Sequence, residues 1–352
     1  MGDEMALRPS MLALALAALA MLICAPAAPA VQPGLVTDLT WGAGERDRDR
    51  TFSEIRELGA RWLRVEVNWG ETEPEQGRLH AWSLEQADDT IRRARAQGMQ
   101  VVVMVSRAPS WASGSEDRGA PPRDPRDYAR FVGMLARRYA GDVIAGYEIW
   151  NEPNLSRFWA PRADATAYVA LLRAASDAVR SADPHAKVVF GGLSGADVDF
   201  VRDAYRAGAR GLFDVMALHP YACAQSPRSE LFTRYRRVRS LMVAQRDARP
   251  MWFTEFGWST GRARCAVSRT TQARYVRDAF RVMQTDRYVQ SALYYNLRNN
   301  YWSKDSTDLE AQYGLVDTRF RAKPAYAAFR AFARREARRV TRHRARSGSR
   351  GW

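Results

Sequence analysis

The sequence predicts a single-domain α/β fold, a (β/α)8 TIM barrel. Eight short apolar runs alternate with amphipathic helical runs along the chain, which is the pattern of such a barrel. Removal of a predicted 30-residue leader from the 352 residues leaves 322, enough for a barrel of about 250 residues. A doubly wound sheet is the alternative, but no glycine-rich dinucleotide-binding turn follows the first apolar run.

The apolar runs are rich in Val, Ile, Tyr, Phe and Trp, which is typical of buried strands. The predicted strands are 35–41, 62–69, 101–106, 145–150, 187–192, 214–220, 251–257 and 291–297. The predicted helices are 46–60, 83–98, 124–141, 163–184, 197–207, 228–246, 268–286 and 323–340. The helix at 124–141 begins at an Asp–Pro pair and places five large apolar side chains on one face: Tyr128, Phe131, Val132, Leu135 and Tyr139.

The first thirty residues have the composition of a secretory signal peptide. An apolar run from Met11 to Cys24 follows Arg8 and ends before the small-residue triplet Ala28-Pro29-Ala30. We therefore expect residues 1–30 to be cleaved after Ala30 and the mature chain to be extracellular or in the cell envelope. A membrane anchor is the alternative, although the run is short for a span, and lipidation of Cys24 is a second alternative.

The net charge is +15, and it is concentrated at the carboxyl end. Residues 334–350 hold eight arginines and one glutamate. We expect the barrel domain to occupy 31–336 and residues 337–352 to form a basic, disordered tail. The alternative is weak contact of this tail with an anionic cell envelope. No nucleic-acid-binding motif is recognisable, so nucleic acid is not an expected partner, and a monomer is the default expectation.

Cysteine and histidine usage restricts the chemistry further. Cys223 and Cys265 are the two cysteines that follow the leader, and in an oxidising compartment they are a disulfide candidate. Two independent buried thiols are the alternative. The four histidines are scattered without a metal-ligand spacing, so the sequence predicts no metal and no cofactor.

Two predicted strand ends carry a glutamate beside aromatic residues. Glu152 follows the fourth strand in YEIWNEPN, and Glu255 lies at the end of the seventh in WFTEFG. In a barrel, functional side chains lie at the carboxyl ends of the strands, so these two carboxylates face one cavity. Hydrolysis of a glycosidic bond needs such a pair, an acid for the departing oxygen and a carboxylate facing the anomeric carbon.

These two motifs resemble those of the clan A retaining glycoside hydrolases. WNEPN resembles the clan's acid/base signature and TEFGWST its nucleophile signature. WLRVEVNW, SRAPSWASG and AQYGLVDTRFRAKPAYAAF are similar to segments of family 39 and of bacterial cellulase-like, family 5-like proteins. The resemblance covers most of the mature chain. The eighth strand differs, because LYYNLRNNYW stands where many relatives have a tryptophan, and Ser106-Arg107 stands where family 5 often has a histidine.

The resemblance implies a role for each matching residue. Glu152 would be the general acid/base, with a pKa raised by the nucleophile's charge and by Trp150. Glu255 would be the nucleophile, kept ionised by a hydrogen bond from Arg64. Asn151 would bind the sugar 2-hydroxyl.

Further residues would support the substrate. His219 and Tyr221 match an H-x-Y pair that family 5 relatives place near the nucleophile. Tyr295 or Trp302 would replace the strand-eight tryptophan beneath the sugar. Three more tryptophans are candidate sugar-stacking platforms or ordinary barrel packing: Trp69, Trp111 and Trp159.

The sequence thus predicts an exported retaining β-glycoside hydrolase that acts on a β-linked oligo- or polysaccharide by double displacement. The alternative is a carbohydrate-binding protein on the same barrel with weak or lost catalysis. The sugar, the linkage and the choice between endo and exo cleavage stay open.

Overall fold

The structure is a computed structural model that describes residues 31–300 and 307–348, with side chains described as far as residue 339. Eight parallel strands form a closed barrel in the order β1 to β8, and β8 pairs with β1. Helices run between successive strands. The predicted (β/α)8 barrel is therefore confirmed.

The observed elements follow the predicted ones closely. The strands are β1 (Gln32–Val36), β2 (Trp62–Asn68), β3 (Gln100–Ser106), β4 (Ile144–Asn151), β5 (Lys187–Ser194), β6 (Met216–His219), β7 (Met251–Phe256) and β8 (Val289–Tyr294). The helices are α1 (Glu45–Leu58), α2 (Trp69–Thr72), α3 (Ala81–Ala96), α4 (Ser110–Ser113), α5 (Pro125–Arg138), α6 (Ala165–Ala182), α7 (Val198–Arg206), α8 (Glu230–Thr233), α9 (Tyr235–Ala244), α10 (Arg269–Thr285) and α11 (Pro324–Gly348). A 3-10 turn, Glu310–Gln312, lies between β8 and α11.

Most element boundaries differ from the sequence prediction by one to three residues, and two larger differences are in β1 and in the helical segment 228–246. β1 ends at Val36 rather than Trp41, so Thr37 and Asp38 lie just beyond its carboxyl end. The single helix expected at 228–246 is two helices, α8 and α9, which meet at Arg234. Ser229 caps the first of them by accepting a hydrogen bond from the Phe232 N–H.

The outer core lies between the strands and the helices. Tyr128, Phe131, Val132, Leu135 and Tyr139, the predicted apolar face of α5, are all buried. Asp124 accepts a hydrogen bond from the Arg126 N–H at the start of this helix, as an N-cap does. Amphipathic periodicity therefore predicted which face of this helix packs on the barrel.

A second, smaller apolar cluster fills the barrel interior. It consists of Val102, Val189, Val215, Ala217 and Trp252, from the region of β3, β5, β6 and β7. Side chains two residues apart on a strand point to the same side. Two positions beyond Ala217 and Trp252, toward the carboxyl ends of β6 and β7, are His219 and Thr254, which are buried polar side chains.

The last helix corrects one prediction. Residues 337–352 were expected to be disordered, but α11 continues to Gly348. Alanine and arginine are strong helix formers, which explains why the basic segment extends the helix. Within the described ranges, no helix combines the length and apolarity that a membrane span requires.

Candidate active site

A cavity of about 500 Å³ opens at the carboxyl ends of the strands. Arg64, Asn151, Glu152, Tyr221 and Glu255 line it, together with side chains from the loops after β1, β3 and β8. Every strand end that carried a candidate glutamate in the sequence therefore contributes to one cavity, as barrel topology requires.

Arg64, on β2, holds three acidic or amide groups together. Its Nη1 donates to Glu255 Oε1 at 2.6 Å, and its Nη2 donates to Asn151 Oδ1 at 2.8 Å. Its Nε and Nη2 also donate to the two oxygens of Glu148, at 2.8 and 3.2 Å. A planar guanidinium with five fixed donors suits this fork better than an ammonium would.

Glu148, on β4, is a fully buried carboxylate that the sequence interpretation did not single out. Besides Arg64, it accepts hydrogen bonds from the Gly192 N–H at 2.9 Å and from the Thr254 hydroxyl at 3.1 Å. Burial alone would raise its pKa, but Arg64 and His219 outweigh burial and lower the pKa to about 2. An ionisable residue inside the apolar run AGYEIW was the signal for this position.

Glu255 is held by two donors at the end of β7. Arg64 donates to Oε1, and the Tyr221 hydroxyl donates to Oε2 at 2.8 Å. Its side chain is 12% exposed, so it faces the cavity while its two oxygens are fixed. The structure thus places the predicted arginine and the predicted tyrosine on this carboxylate.

Glu152 lies just beyond β4, and its backbone has a positive φ of 42°. Its N–H donates to the Gly192 carbonyl at 3.1 Å, which fixes this uncommon conformation. Its Oε1 lies 3.0 Å from His219 Nδ1, and its Oε2 accepts a hydrogen bond from Arg157 Nη2 at 3.0 Å. The carboxyl is therefore buried, oriented and in contact with two cationic side chains.

The two carboxylates are close to each other across the barrel mouth. One oxygen of Glu152, one oxygen of Glu255 and a ring nitrogen of His219 all lie within 4.8 Å of one another. Among the described side chains, this trio is also the group whose spacing would allow a metal ion. In this structure, however, both ring nitrogens of His219 point at protein oxygens, because Nε2 lies 3.1 Å from the Thr254 hydroxyl.

His219 carries the proton of this cluster. Burial alone would lower its pKa, but the carboxylates of Glu255, Glu148 and Glu152 raise the pKa to about 9. Burial would likewise raise the pKa of Glu152, yet His219 and Arg157 outweigh it and lower the pKa. The sequence interpretation expected a raised pKa at Glu152. That expectation was wrong, because the contacts of Glu152 with His219 and Arg157 were not foreseen.

The three tryptophans predicted as sugar platforms do not line the cavity. Trp69 is buried against Trp111 and Phe131. Trp111 donates its Nε1–H to the Glu73 carbonyl. Trp159 is 3% exposed and packs on Trp150. All three are packing residues. Indoles near strand ends can stack on a sugar or fill the space under the following helices, and sequence position alone does not separate these two roles.

Tyr295 lines the cavity beyond β8, where a replacement for the usual tryptophan was expected. It makes edge-on contacts with Tyr221 and Tyr313, at centroid distances of 6.4 and 5.4 Å. Trp302, the other candidate, lies outside the described residues.

Several cavity residues were missed by the sequence interpretation. They are Thr37, Asp38, Arg157, Phe158, Glu310 and Tyr313. All are close to a strand end or in a loop, where apolar periodicity carries no information. Glu310 lines the cavity together with Glu66, Glu152 and Glu255. Burial and the charge of Glu255 raise the pKa of Glu310 to about 7.

Cys223 and Cys265 form a disulfide with a Cα–Cα distance of 4.6 Å. It joins the loop after β6 to the loop after β7. The predicted pairing is confirmed, and it braces the side of the mouth that carries Tyr221 and Glu255.

Known proteins resemble this chain over most of the barrel. Residues 25–301 match the family model described as cellulase, glycosyl hydrolase family 5. A β-xylosidase of Geobacillus stearothermophilus is 29% identical over 122 residues, which are 32% of this chain and 24% of that protein. The chain thus spans about a quarter of the length of this curated relative.

Solved structures share the fold. A family 5, subfamily 18 protein from Streptomyces cattleya, in complex with GlcNAc, superposes with a TM-score of 0.71 at 18% identity, covering 88% of this chain and 81% of that one. A family 39 glycoside hydrolase from Bacteroides cellulosilyticus gives 0.68 at 18% identity, with coverages of 87% and 64%. A monomeric β-xylosidase from Caulobacter crescentus gives 0.68 at 22% identity, with coverages of 86% and 68%.

Families 5 and 39 are both families of retaining glycosidases. The matched segment contains all eight strands together with Arg64, Glu152 and Glu255. Since it spans more than half of the sequence, the chain belongs to the cellulase family, glycosyl hydrolase family 5.

Proposed function

We propose that this chain is an exported retaining β-glycoside hydrolase that acts on a β-linked oligo- or polysaccharide through Glu152 and Glu255. The observation that carries the proposal is that one oxygen of Glu152 and one oxygen of Glu255 lie within 4.8 Å of each other. Retaining enzymes hold their carboxyl groups about 5–5.5 Å apart, whereas inverting enzymes leave about 6.5–9.5 Å for a water molecule.

In the first step, Glu255 attacks the anomeric carbon and the glycosidic C–O bond breaks. The departing oxygen takes a proton from Glu152, and a covalent glycosyl–enzyme ester remains. Arg64 and Tyr221 donate hydrogen bonds that fix the two oxygens of Glu255 before attack. Asn151 accepts a hydrogen bond from Arg64 through Oδ1, so its amide N–H groups are left for a sugar hydroxyl.

The proton for this step belongs to the Glu152–His219 pair. With Glu152 ionised, His219 Nδ1–H donates to it across 3.0 Å. The Thr254 hydroxyl donates to Glu148 and therefore accepts from His219 Nε2–H. A bound sugar displaces water and disfavours the charged pair, so the proton moves from Nδ1 to Oε1 and onward to the departing oxygen.

In the second step, Glu152 acts as the base. It removes a proton from a water molecule, whose oxygen attacks the anomeric carbon and displaces Glu255. The sugar leaves with its original configuration, and Glu152 regains its proton. Two inversions at one carbon require one carboxylate below the sugar and one beside it. In this proposal Glu255, at the end of β7, lies below the sugar, and Glu152, just beyond β4, lies beside it.

The relatives suggest the substrates to try first. The curated relative and one solved relative are named β-xylosidases. Another solved relative is an exo-β-1,4-mannosidase from an Opitutaceae bacterium, at 19% identity and a TM-score of 0.68. We therefore expect aryl β-xylosides, β-mannosides and β-glucosides to include a substrate.

Export is supported by the leader composition and by the disulfide. Disulfides persist in oxidising compartments, and Cys223 and Cys265 are paired. N-terminal sequencing of protein recovered outside the cytoplasm should begin at Val31. A protein that keeps residues 1–30 and stays in the cytoplasm would contradict this part of the proposal.

The activity is tested by release of aryl alcohol and of reducing ends from β-linked substrates. Wild type should turn over at least one of them, and Glu255→Gln should reduce kcat by at least about 10³-fold, the scale of losing a nucleophile. Glu71→Gln, an exposed glutamate outside the cavity, is the matched control and should keep full activity. Equal activity in wild type and Glu255→Gln would exclude Glu255 as the nucleophile.

A further inference from the structure

Three buried oxygen atoms without a hydrogen-bond partner lie in the cavity wall. They are Thr37 Oγ1, Asp38 Oδ2 and Asn296 Oδ1. In the described part of the chain, nine buried side-chain oxygens have no partner, and the other six belong to residues that do not line the cavity. Buried polar atoms are almost always paired in folded proteins, so three in one wall call for an explanation.

These three residues lie at the carboxyl ends of two neighbouring strands and line one cavity. Thr37 and Asp38 follow β1, and Asn296 follows β8, which pairs with β1. The Leu297 N–H donates to the Val36 carbonyl at 3.2 Å, so the two chain segments run side by side. We call Thr37, Asp38 and Asn296 the β1–β8 wall.

The β1–β8 wall lies on the side of the cavity away from Glu152. In a ring of eight strands, β8 is opposite β4, which carries Glu152, and it is next to β7, which carries Glu255. The acid/base must contact the departing oxygen, so the leaving group lies toward β4. The sugar whose anomeric carbon faces Glu255 therefore extends toward β8 and β1.

The unpaired atoms suit sugar hydroxyls. Each can accept a hydrogen bond, and the Thr37 hydroxyl can also donate one. Two arginines of the cavity already have acidic partners, since Arg107 is 3.4 Å from Glu66 and Arg157 contacts Glu152. Neutral hydroxyl groups on a bound sugar would satisfy the wall without bringing another charge into it.

We propose that the β1–β8 wall binds hydroxyl groups of the reacting sugar and selects a neutral sugar there. This proposal rests on the proposed function, because that function defines which side of the cavity holds the reacting sugar. Asp38 and Glu310 both line this cavity, so a uronic acid carboxylate would meet like charge. Burial also raises the pKa of Asp38, because a charged carboxylate is poorly solvated at this position.

The test removes one unpaired atom without changing shape. Thr37→Val deletes the hydroxyl of a residue that is 8% exposed and has no side-chain partner within the described residues. We expect kcat/KM on the best aryl β-glycoside to fall about tenfold while Tm does not fall, because no protein hydrogen bond is lost. Ser291→Ala, which deletes an unpaired buried hydroxyl of β8 outside the cavity, is the matched control and should leave kcat/KM unchanged.

Deoxy substrates separate a hydroxyl contact from a general disturbance. With the monodeoxy glycoside that lacks the contacted hydroxyl, Thr37→Val and wild type should differ by less than about twofold. Asp38→Asn should show the same coupling with a deoxy analogue and should narrow the preference for a glucoside over a glucuronide. An equal loss on every analogue, or a loss of kcat/KM matched by a lower Tm, would overturn the proposal.

A protein that cleaves none of the glycosides would overturn the proposed function while leaving the wall testable. Calorimetric titration of the same glycosides into wild type and Thr37→Val then tests whether the β1–β8 wall binds the sugar. Weaker binding of the parent, with equal binding of the deoxy analogue, supports the β1–β8 wall. Equal binding by both proteins, or no binding by either, overturns it.

Discussion

At the scale of single residues, His219 decides the charge of the buried cluster. Arg64 faces two carboxylates, Glu148 and Glu255, while Glu152 is balanced by Arg157 from the solvent side. The imidazole touches Glu152 and lies 3.8 Å from Glu148 and 3.7 Å from Glu255. The positive charge of the protonated imidazole thus acts on three carboxylates, and its loss on deprotonation affects all three.

The pH dependence of activity should follow this proton. The pKa of His219 is raised from 6.5 to about 9 in the folded protein. Its contribution to stability is therefore complete below about pH 6.5 and lost as pH rises through about 9. We expect kcat/KM and Tm to fall together over that range, because the Glu152–His219 pair then lacks its proton.

This prediction is checked by kcat/KM and Tm profiles between pH 6 and 10. His219→Gln should be less active at neutral pH and should lack the decline of Tm near pH 9. A wild-type kcat/KM that stays constant to pH 10 would show that the pair keeps its proton, or does not need it.

Arg157 should influence the pH at which kcat/KM falls. It is the exposed partner of Glu152, with 61% of its side chain accessible, and it lowers the pKa of that carboxyl. Arg157→Gln removes the cation without burying anything new, so the high-pH limb of kcat/KM should move to higher pH. Arg162→Gln, an exposed arginine in the same loop, is the control. Coincident profiles for all three proteins would contradict the proposed influence of Arg157.

At the scale of elements, β5 must come very close to β4 and β6 beside the cluster. A Cβ at Gly192 would lie 2.1 Å from His219 Nε2 and 2.6 Å from Glu148 Oε1. Gly192→Ala should therefore displace His219, lower the free energy of unfolding by about 1–3 kcal/mol as overpacking does, and reduce kcat. Both are measured by urea unfolding and by steady-state kinetics.

Gly44→Ala is the matched control for that substitution. Nothing lies within 4 Å of a Cβ at Gly44, and its φ of −68° suits any residue. It should leave kcat unchanged. Full activity in Gly192→Ala would mean that the backbone of β5 moves away at little cost.

The ion pair between β2 and β4 should contribute to stability as well as to the site. Glu148→Gln leaves Arg64 with one buried carboxylate fewer, and breaking a buried pair costs about 3–5 kcal/mol. The pKa of Glu148 is lowered to about 2, so its contribution is complete above pH 4.5 and is lost as pH falls toward 2. Urea unfolding should show that the free energy of unfolding of wild type exceeds that of Glu148→Gln by less at pH 3 than at pH 7.

Glu57→Gln removes an exposed pair with Arg330 and provides the comparison. Exposed pairs contribute less than about 1 kcal/mol, so this variant should resemble wild type at both pH values. A loss in Glu148→Gln no larger than in Glu57→Gln would contradict the role of the buried pair.

At the scale of the whole molecule, the sequence predicted the architecture well, because a closed (β/α)8 barrel requires the same alternation of apolar strands and amphipathic helices that the sequence shows. All eight predicted strands overlap observed strands, and the two glutamates share a cavity. The mouth was predicted less well. Trp69, Trp111 and Trp159 are packing residues, whereas Asp38 and Arg157 line the cavity from loops that have no periodicity.

The electrostatics of the site were the least predictable part. A pKa depends on which charged groups lie within a few ångströms, and those groups come from distant parts of the sequence. Glu152 meets His219 and Arg157, one from β6 and one from a nearby loop. Only the folded barrel brings the first of them into contact, so the expected direction of the pKa shift was wrong.

The disulfide allows a prediction about the whole fold. Cys223 and Cys265 are 42 residues apart, and they join the loops after β6 and β7. In the chain-entropy view, a closed loop of this length stabilises the folded state by about 4 kcal/mol, because it restricts the unfolded chain. The double variant Cys223→Ser, Cys265→Ser should therefore unfold at a lower urea concentration than wild type under non-reducing conditions. With reductant present, wild type should approach the variant, whereas the variant should not change. Equal unfolding of both proteins without reductant, or an intact mass of wild type that shows two free thiols, would contradict the prediction.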